Sequence, residues 1–450
     1  MDRTIEDFVR GLALDAYLVG GAVRDELLGL ESKDADFVVP GVDYDGLRRA
    51  LEPHGRVEDL EVAGSRVGAR LYPRDQKVRA AAPAGIEFAP PRAERSTGPG
   101  RHDFEIVADP GLSIEDDMAR RDFTVNAIAR RLETGDLVDP FGGAKDLKAG
   151  VLRTVSPQSF AEDPLRLVRG LRLVSQLGLT PDEPTLHQMC DEADSIRLVS
   201  GERLGGGLRA DGMGELSKLL LGTQPARALR LARDTGVLTA LLPELEQTIG
   251  FEQDSDRQHL SLDEHTFEVV QAAAQAGASL PVRLAALFHD AGKPGANGDH
   301  AERGARLTAA ALARLRYPSR LQSYVTRLVR AHAFPLEDVD ERFARRFLRE
   351  HGDQLAFDLV AHKQADLGGK QAPQREHEAA ARLRTLLEQQ RDQPHRLRDL
   401  AVDGGDLLEL GYREGPELGR ALDSLLDAVV DDPALNTREQ LLELARAGAG

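Results

Sequence analysis

Apolar positions change rhythm part-way along the chain. Through residue 140 they fall in short runs separated by turn-forming residues, and from about Val151 they recur every three or four positions. The first stretch therefore predicts strands at Tyr17–Val19, Ala35–Val39, Gly68–Tyr72, Gly85–Ala89, Phe104–Val107 and Leu137–Val138, alternating with helices. Pro73–Arg101, with Pro90-Pro91 and Ser96-Thr-Gly-Pro-Gly100, reads as a mobile loop around the single strand Gly85–Ala89. The second stretch predicts helices. Pro164–Gly178 carries proline in its first turn, Leu167, Leu171, Val174 and Leu177 as a stripe, and glycine at its stop. Others are expected at Glu215–Leu221, Ala226–Thr235, His265–Ala276, Val282–His289, Ala301–Leu315, Leu321–His332, Ala344–His351 and Ala379–Gln390. Gly201–Gly214 reads as a loop, and Gln389–Arg398 as a linker.

Composition narrows the class. Among 450 residues, 41% hydrophobic and 30% charged describe a globular chain with material for several domains. A single cysteine, Cys190, excludes an intrachain disulfide framework. The start lacks an apolar signal core and no run reaches the ~20 apolar residues of a membrane span, so the expected location is the cytoplasm. A formal net charge of -17 argues against a generally basic surface but not against a local basic groove. Arg166, Arg169 and Arg172, and Arg342, Arg345, Arg346 and Arg349, are candidates for such a groove, or are solvated helix faces paired with acids.

Four constellations carry chemistry. Gly20-Gly21 after an apolar run lets backbone approach an anion, and Arg24 adds a forked phosphate donor. Asp34 and Asp36, two apart on an expected strand, share a face and offer oxygens to hard divalent cations. Arg120-Arg121-Asp122 with Asn126 offers phosphate donors and sugar-hydroxyl partners; alternatively Asp122 caps a helix while the arginines pair with Glu115, Asp116 or Asp117. Glu162-Asp163-Pro-Leu-Arg166 brings an acceptor and a planar donor together, a match for a base edge, or Asp163 simply caps the helix. Finally His265, His289-Asp290, His300, His332 and Asp366 form a set with mixed imidazole and carboxylate ligands, or are satisfied core and surface groups.

Together with Asp139-Pro-Phe-Gly-Gly-x-x-Asp146-Leu, the order of these motifs resembles the bacterial CCA-adding enzymes, the tRNA nucleotidyltransferases, and the closely similar bacterial poly(A) polymerases, over residues 15–245. The resemblance implies an α+β head of polymerase-beta type with a mixed sheet, followed by an all-α neck, body, HD domain and tail. The expected boundaries are 1–150 for the head, 151–255 for the neck and body, 256–385 for the HD domain and 386–450 for the tail. It implies template-independent addition of C and A from CTP and ATP to the tRNA 3′ end, with pyrophosphate released and no obligatory protein partner evident. Poly(A) addition, or an HD phosphohydrolase with a nucleotide-binding head, are the alternatives.

By the same resemblance, Asp34 and Asp36 would hold magnesium, with Glu87 as a third carboxylate. One ion would activate the RNA 3′-hydroxyl and the other would bind the triphosphate. Gly20, Gly21 and Arg24 would cradle the triphosphate, and Arg121 and Asp122, supported by Asn126, would meet phosphate and ribose. Asp163 and Arg166, with Glu162 orienting Arg166, would read the base, and Arg169 would lie beside the nucleotide. The loop Arg92–Gly100 would accompany the switch in nucleotide choice. The histidine and aspartate set is similar to the HD phosphohydrolases and implies a second divalent ion (nickel, cobalt, manganese or magnesium) with phosphatase or 2′,3′-cyclic phosphodiesterase activity on RNA ends. One departure is the Gly-rich insertion between Glu202-Arg203 and Glu215-Leu216, which puts the rigidity of the neck in question.

Overall fold

The structure, a computed structural model, describes residues 1–31, 35–62, 65–96, 104–207, 213–253, 260–295 and 298–448. These residues build two compact units, Met1–Pro243 and Glu244–Gly450.

The first unit is organised by a seven-stranded mixed sheet in the order β3-β4-β5-β2-β1-β8-β9. Its strands are β1 (Tyr17–Val19), β2 (Asp36–Val38), β3 (Gly55–Val62), β4 (Ser65–Pro73), β5 (Ile86–Ala89), β8 (Ala129–Arg131) and β9 (Leu137–Val138), while β6 (Arg92–Ser96) and β7 (Phe104–Ala108) pair separately as an antiparallel ribbon. Within the seven-stranded sheet β2 and β5 run parallel, and the other described neighbours are antiparallel. Side chains alternate across a strand, and β2 uses both faces. Phe37 packs into one core with Leu18, Leu71 and Phe88, its ring stacked 5.4 Å from Phe88. Val38 packs into another with Val19, Met118 and Ala129. Each large side chain fully buried here is worth roughly 1.5–3 kcal/mol. Asp36 stands two positions before Val38 and so leaves the sheet on the same side as Val38, away from the Phe37–Phe88 core.

The helices of this unit are α1 (Arg3–Arg10), α2 (Gly21–Leu27), α3 (Tyr44–Leu51), α4 (Gln76–Ala81), α5 (Ile114–Ala119), α6 (Gly143–Ala149), α7 (Ser159–Glu162), α8 (Leu165–Leu177), α9 (Glu183–Asp191), α10 (Glu215–Leu220), α11 (Pro225–Asp234) and α12 (Val237–Leu241). Helix α8 ends as its sequence predicts, with Gly178 in the left-handed region at φ 69°. Pro73–Arg101 departs from expectation. It holds helix α4, capped by the Asp75 carboxylate accepting from Lys77 and Val78, and strand β6, in addition to β5. The expected mobile loop Arg92–Gly100 thus begins as one arm of a hairpin, and residues 97–103 lie outside the described residues. Gly201–Gly214, expected as a loop, contains a wide helical turn at Glu202–Gly206.

The Asp139–Asp146 motif has a clear local logic. The Asp139 carboxylate accepts from the Gly143 and Ala144 amides at 2.6 and 3.0 Å, starting α6. Asp146 then accepts from Thr124 Oγ1 at 2.8 Å and from Arg153 Nε at 2.9 Å, pinning the turn that carries residues 122–126. Gly143 permits this closeness, since a Cβ there would stand 2.0 Å from the Thr124 carbonyl oxygen.

The second unit is helical: α13 (Leu262–Gln275), α14 (Leu280–Phe288), α15 (His300–Arg314), α16 (Ser319–Ala331), α17 (Glu341–His351), α18 (Asp353–Gly368), α19 (Gln374–Gln390), α20 (Gly404–Glu409), α21 (Pro416–Asp431) and α22 (Arg438–Gly448). Helix α14 is buried from Val282 through Phe288, as its nearly unbroken apolar sequence requires. The expected linker Gln389–Arg398 is short and tied down, with His395 Nε2 2.8 Å from Asp353 Oδ1. The arginines of α17 serve packing. Arg342 and Arg346 each grip Asp431, Arg349 donates to Asp423, and Arg345, only 6% exposed, donates to the Val430 and Asp431 carbonyls. Arg342 and Arg346 thus form an exposed helix face paired with an acid, as the plainer reading expected, with an aspartate as the partner, while Arg345 is buried.

Replacing Gly143 with alanine forces α6 away from the 122–126 turn. We expect a loss of about 1–3 kcal/mol in stability, read as a lowered urea midpoint at unchanged slope.

Candidate active site

A cleft of about 610 Å³ opens on the Val38 side of the sheet and runs up to helix α8. It gathers Gly20, Gly21, Arg24, Asp36, Glu87, Arg121, Asp122, Asn126, Asp163, Arg166 and Arg169 from five separate stretches of chain. Asp34 lies outside the described residues. Asp36 and Glu87 face each other in register across the parallel pair β2–β5, so two carboxylates share one wall of the cleft. An all-oxygen donor set of this kind suits a hard divalent cation. Glu87 is also held by Arg70 of β4, whose Nε donates to Oε1 at 3.0 Å and whose Nη2 makes a second, shorter bond.

The opposite wall is built from guanidiniums held by buried acids. Asp117, with no exposed side-chain surface, pairs with Arg120 at 2.8 Å and Arg121 at 3.1 Å. Burial alone would raise its pKa, but the Arg120 and Arg121 charges win and hold the carboxyl below its usual range. Arg121 then passes beneath Gly20: a Cβ at that position would lie 2.6 Å from Nη1, and the residue's φ of 70° also favours glycine. Asp122 is also buried, yet Arg169 at 3.0 Å and a hydrogen bond from Asn126 keep its carboxyl low. Arg24 donates to Asn126 Oδ1 at 2.7 Å and to Asp25.

The Glu162–Arg166 segment spans a break. Glu162 closes α7, Pro164 opens α8, and Arg166 reaches back to Glu162 Oε2 at 2.9 Å and across to the Arg120 carbonyl at 2.8 Å. Asp163 does cap α8, accepting from the Leu165 amide at 3.1 Å, while its other oxygen takes Arg203 Nη2 at 2.7 Å. The arginine pair and Asp163 therefore anchor local structure, as the plainer reading of each expected, and they also line the cleft. The glycine-rich insertion leaves this arrangement whole. The Gly214 amide donates to the Gly205 carbonyl at 2.9 Å, closing the insertion at its base, and Glu215 pairs with Arg172 at 3.0 Å. Arg70, Asp117 and Arg203 were not among the expected site residues, and no spacing in the sequence marks Arg70.

A second cluster lies in the helical unit. His265 Nε2 stands 3.2 Å from Asp366 Oδ1, and His289 Nε2 3.2 Å from Asp290 Oδ2. Asp290 Oδ1 faces His332 at 3.7 Å and His300 at 3.8 Å. The Nδ1 atoms of His265, His289 and His332 each meet a backbone carbonyl, of Gly369, Ala286 and Val329, at 3.2, 2.8 and 2.7 Å. Such partners fix the tautomer that presents Nε2 as a ligand. The buried Nε2 atoms of His265 and His289 make no hydrogen bond, which fits a metal ion. Burial holds the His289 imidazole below its ordinary pKa despite two neighbouring carboxylates. Sequence reasoning missed His362, 1% exposed, with its ring 5.1 Å from that of His289. Its position four before Asp366 on α18 was the available signal.

Three domain families match the chain: the poly A polymerase head domain over residues 16–153, the RNA and SrmB binding site of polymerase A over 178–249, and tRNA nucleotidyltransferase domain 2 over 306–445. The multifunctional CCA protein of Xanthomonas campestris pv. campestris (strain B100) is 33% identical over 448 residues, covering 92% of this chain and 97% of the relative. The chain belongs to the bacterial CCA-adding enzyme family. This family is one of nucleotidyltransferases that depend on divalent metal. The multifunctional CCA protein of Neisseria gonorrhoeae (strain NCCP11945) is 39% identical over 286 residues, and the match spans 62% of each chain. The fold is shared with the Bacillus stearothermophilus CCA-adding enzyme solved with CTP, at a TM-score of 0.70 and 24% identity over 99% of this chain and 96% of that one. It is shared too with the Thermotoga maritima CCA-adding enzyme complexed with tRNA_CCA, at 0.63 and 22% over 100% and 97%. Among the described residues no helix is long and apolar enough to cross a membrane.

Asp117→Asn leaves two guanidiniums without their buried counter-charge. We expect a cost of about 3 kcal/mol, measured as a shifted urea midpoint.

Proposed function

We propose that this chain adds C and A nucleotides, as CCA or part of it, to the 3′ end of tRNA from CTP and ATP in the cytoplasm, releasing pyrophosphate. The observation that carries the reading is the single cleft in which the glycine pair and Arg24, the Arg121–Asp122–Asn126 turn, and Asp163–Arg166 surround the Asp36–Glu87 wall. The related enzymes solved with CTP, with ATP and with tRNA_CCA accord with it.

Each group has a role its surroundings support. Gly20 and Gly21 let the triphosphate lie against backbone, and Arg24 and Arg121 offer it donors whose aim is set by Asn126 and Asp117. Asp122 accepts from the ribose hydroxyls. Asp163 and Arg166 meet the base edge, and Arg203 and Glu162 hold them in place before a nucleotide arrives. Asp34, Asp36 and Glu87 would hold magnesium, which when bound supplies charge neutralisation at the phosphates and acidifies the RNA 3′-hydroxyl. The hydroxyl attacks the α-phosphorus and pyrophosphate leaves, so positioning is most of what the protein must provide.

Poly(A) addition is the nearest alternative, and product length separates the two. We expect transcripts ending before the first C to be extended with CTP and then ATP, transcripts ending in CC with ATP alone, and transcripts ending in CCA not at all. Repeated A addition past CCA would overturn the reading in favour of a poly(A) polymerase. Arg166→Ala should relax the preference for CTP over UTP by roughly tenfold or more, since a base-edge donor pair is worth about 1–3 kcal/mol.

The buried Nε2 atoms of His265 and His289, which face carboxylates but make no hydrogen bond, favour a second activity, a metal-dependent phosphohydrolase acting on RNA ends. His265, His289, Asp290, His300, His332 and Asp366 would hold nickel, cobalt, manganese or magnesium there. His289→Ala is expected to abolish opening of a 2′,3′-cyclic-phosphate dinucleotide to its phosphomonoester while nucleotide addition continues; persistent opening assigns it elsewhere.

A further inference from the structure

Within the histidine and aspartate cluster, the two carboxylates are turned differently. Asp290 directs Oδ2 at His289 and Oδ1 at His300 and His332, so both oxygens face imidazoles. Asp366 does not. Its Oδ1 faces His265 at 3.2 Å and His289 at 3.8 Å, while Oδ2 is turned to the Lys370 ammonium at 2.7 Å. Lys370 follows α18 in the turn Gly369-Lys370. That turn presses on helix α13: a Cβ on Gly369 would stand 2.6 Å from Val269 Cγ2 and 2.9 Å from the Val269 amide nitrogen. The same close approach delivers the Gly369 carbonyl to His265 Nδ1. One tight turn thus aims two ligand groups, the imidazole through a carbonyl and the carboxylate through an ammonium.

We infer that Lys370 is a positioning residue that restricts Asp366 to one-oxygen ligation of the ion in this cluster. The inference rests on the ion-site reading above. An ammonium occupying Oδ2 makes that oxygen a poor ligand, because a cation approaching it meets a like charge across a single atom. The ammonium also withdraws negative charge from the site as a whole, so it weakens ion binding in return for a defined geometry. Lys293 stands 2.6 Å from Asp290 Oδ2 in the same way, which leaves ligation by that residue to Oδ1, the oxygen facing His300 and His332.

The sign of the effect makes the idea testable. Loss of a structural contact weakens an ion site, whereas loss of a restraining positive charge strengthens it. The measurement is cobalt(II) binding by the full-length protein, titrated by its visible absorption, for wild type, Lys370→Met, Lys370→Arg and His289→Ala. We expect Lys370→Met to bind cobalt about tenfold more tightly. Its visible band should be weaker, as the second Asp366 oxygen raises the coordination number. Lys370→Arg, which keeps the charge, should return both the affinity and the band toward wild type. Cobalt binding by a folded Lys370→Met at wild-type or lower affinity, or an unchanged band, overturns the inference. If wild type and His289→Ala give the same titration, the ion-site reading itself fails and takes the inference with it.

Discussion

A carboxylate with no access to water, Asp117, sets the frame of the cleft. Two adjacent arginines would repel one another and wander; the buried acid holds both, and Arg121 can then run under Gly20 only because glycine leaves the space. From there the constraints propagate by direct contact. Asn126 accepts from Arg24 and donates to Asp122, Asp122 meets Arg169, and Arg166 donates to the Arg120 carbonyl. The glycine-pair end of the cleft, the turn at residues 122–126 and helix α8 are therefore one hydrogen-bonded assembly. Such networks are strong when every member is satisfied and costly when one is not.

The assembly also resolves how a strongly acidic chain can handle an anionic substrate. Eight arginines line the cleft against five acids, a local excess of positive charge in a chain whose net charge is -17. Arginines on α17 show the contrast, because they are spent on Asp431, Asp423 and the end of α21. Residue type alone did not distinguish the two clusters; the acid that each one meets did.

Much of the first unit was legible because its strands include short apolar runs and its helix α8 carries a start signal, Pro164, and a stop signal, Gly178. The motifs also come together in one cleft: Asp36 and Glu87 share a wall, and Asp163 and Arg166 flank one proline break. Strand β3, helix α4 and strand β6 were not legible, whereas β7 was expected at Phe104–Val107. Arg92-Ala-Glu-Arg-Ser has no apolar alternation, and β3 mixes Glu58, Asp59 and Glu61 with its apolar positions, so pairing with β4 decides its state. Arg70 and His362 were missed for a different reason. Each gains its meaning from a partner distant in sequence, Glu87 for one and His289 for the other, which no local pattern records.

The account stands most directly on incorporation of labelled CTP into tRNA lacking its 3′ end, compared between wild type and Asp36→Ala. It predicts incorporation by wild type and a loss of at least a thousandfold in the variant, with the urea midpoint unchanged. Incorporation by Asp36→Ala at the wild-type rate would contradict it.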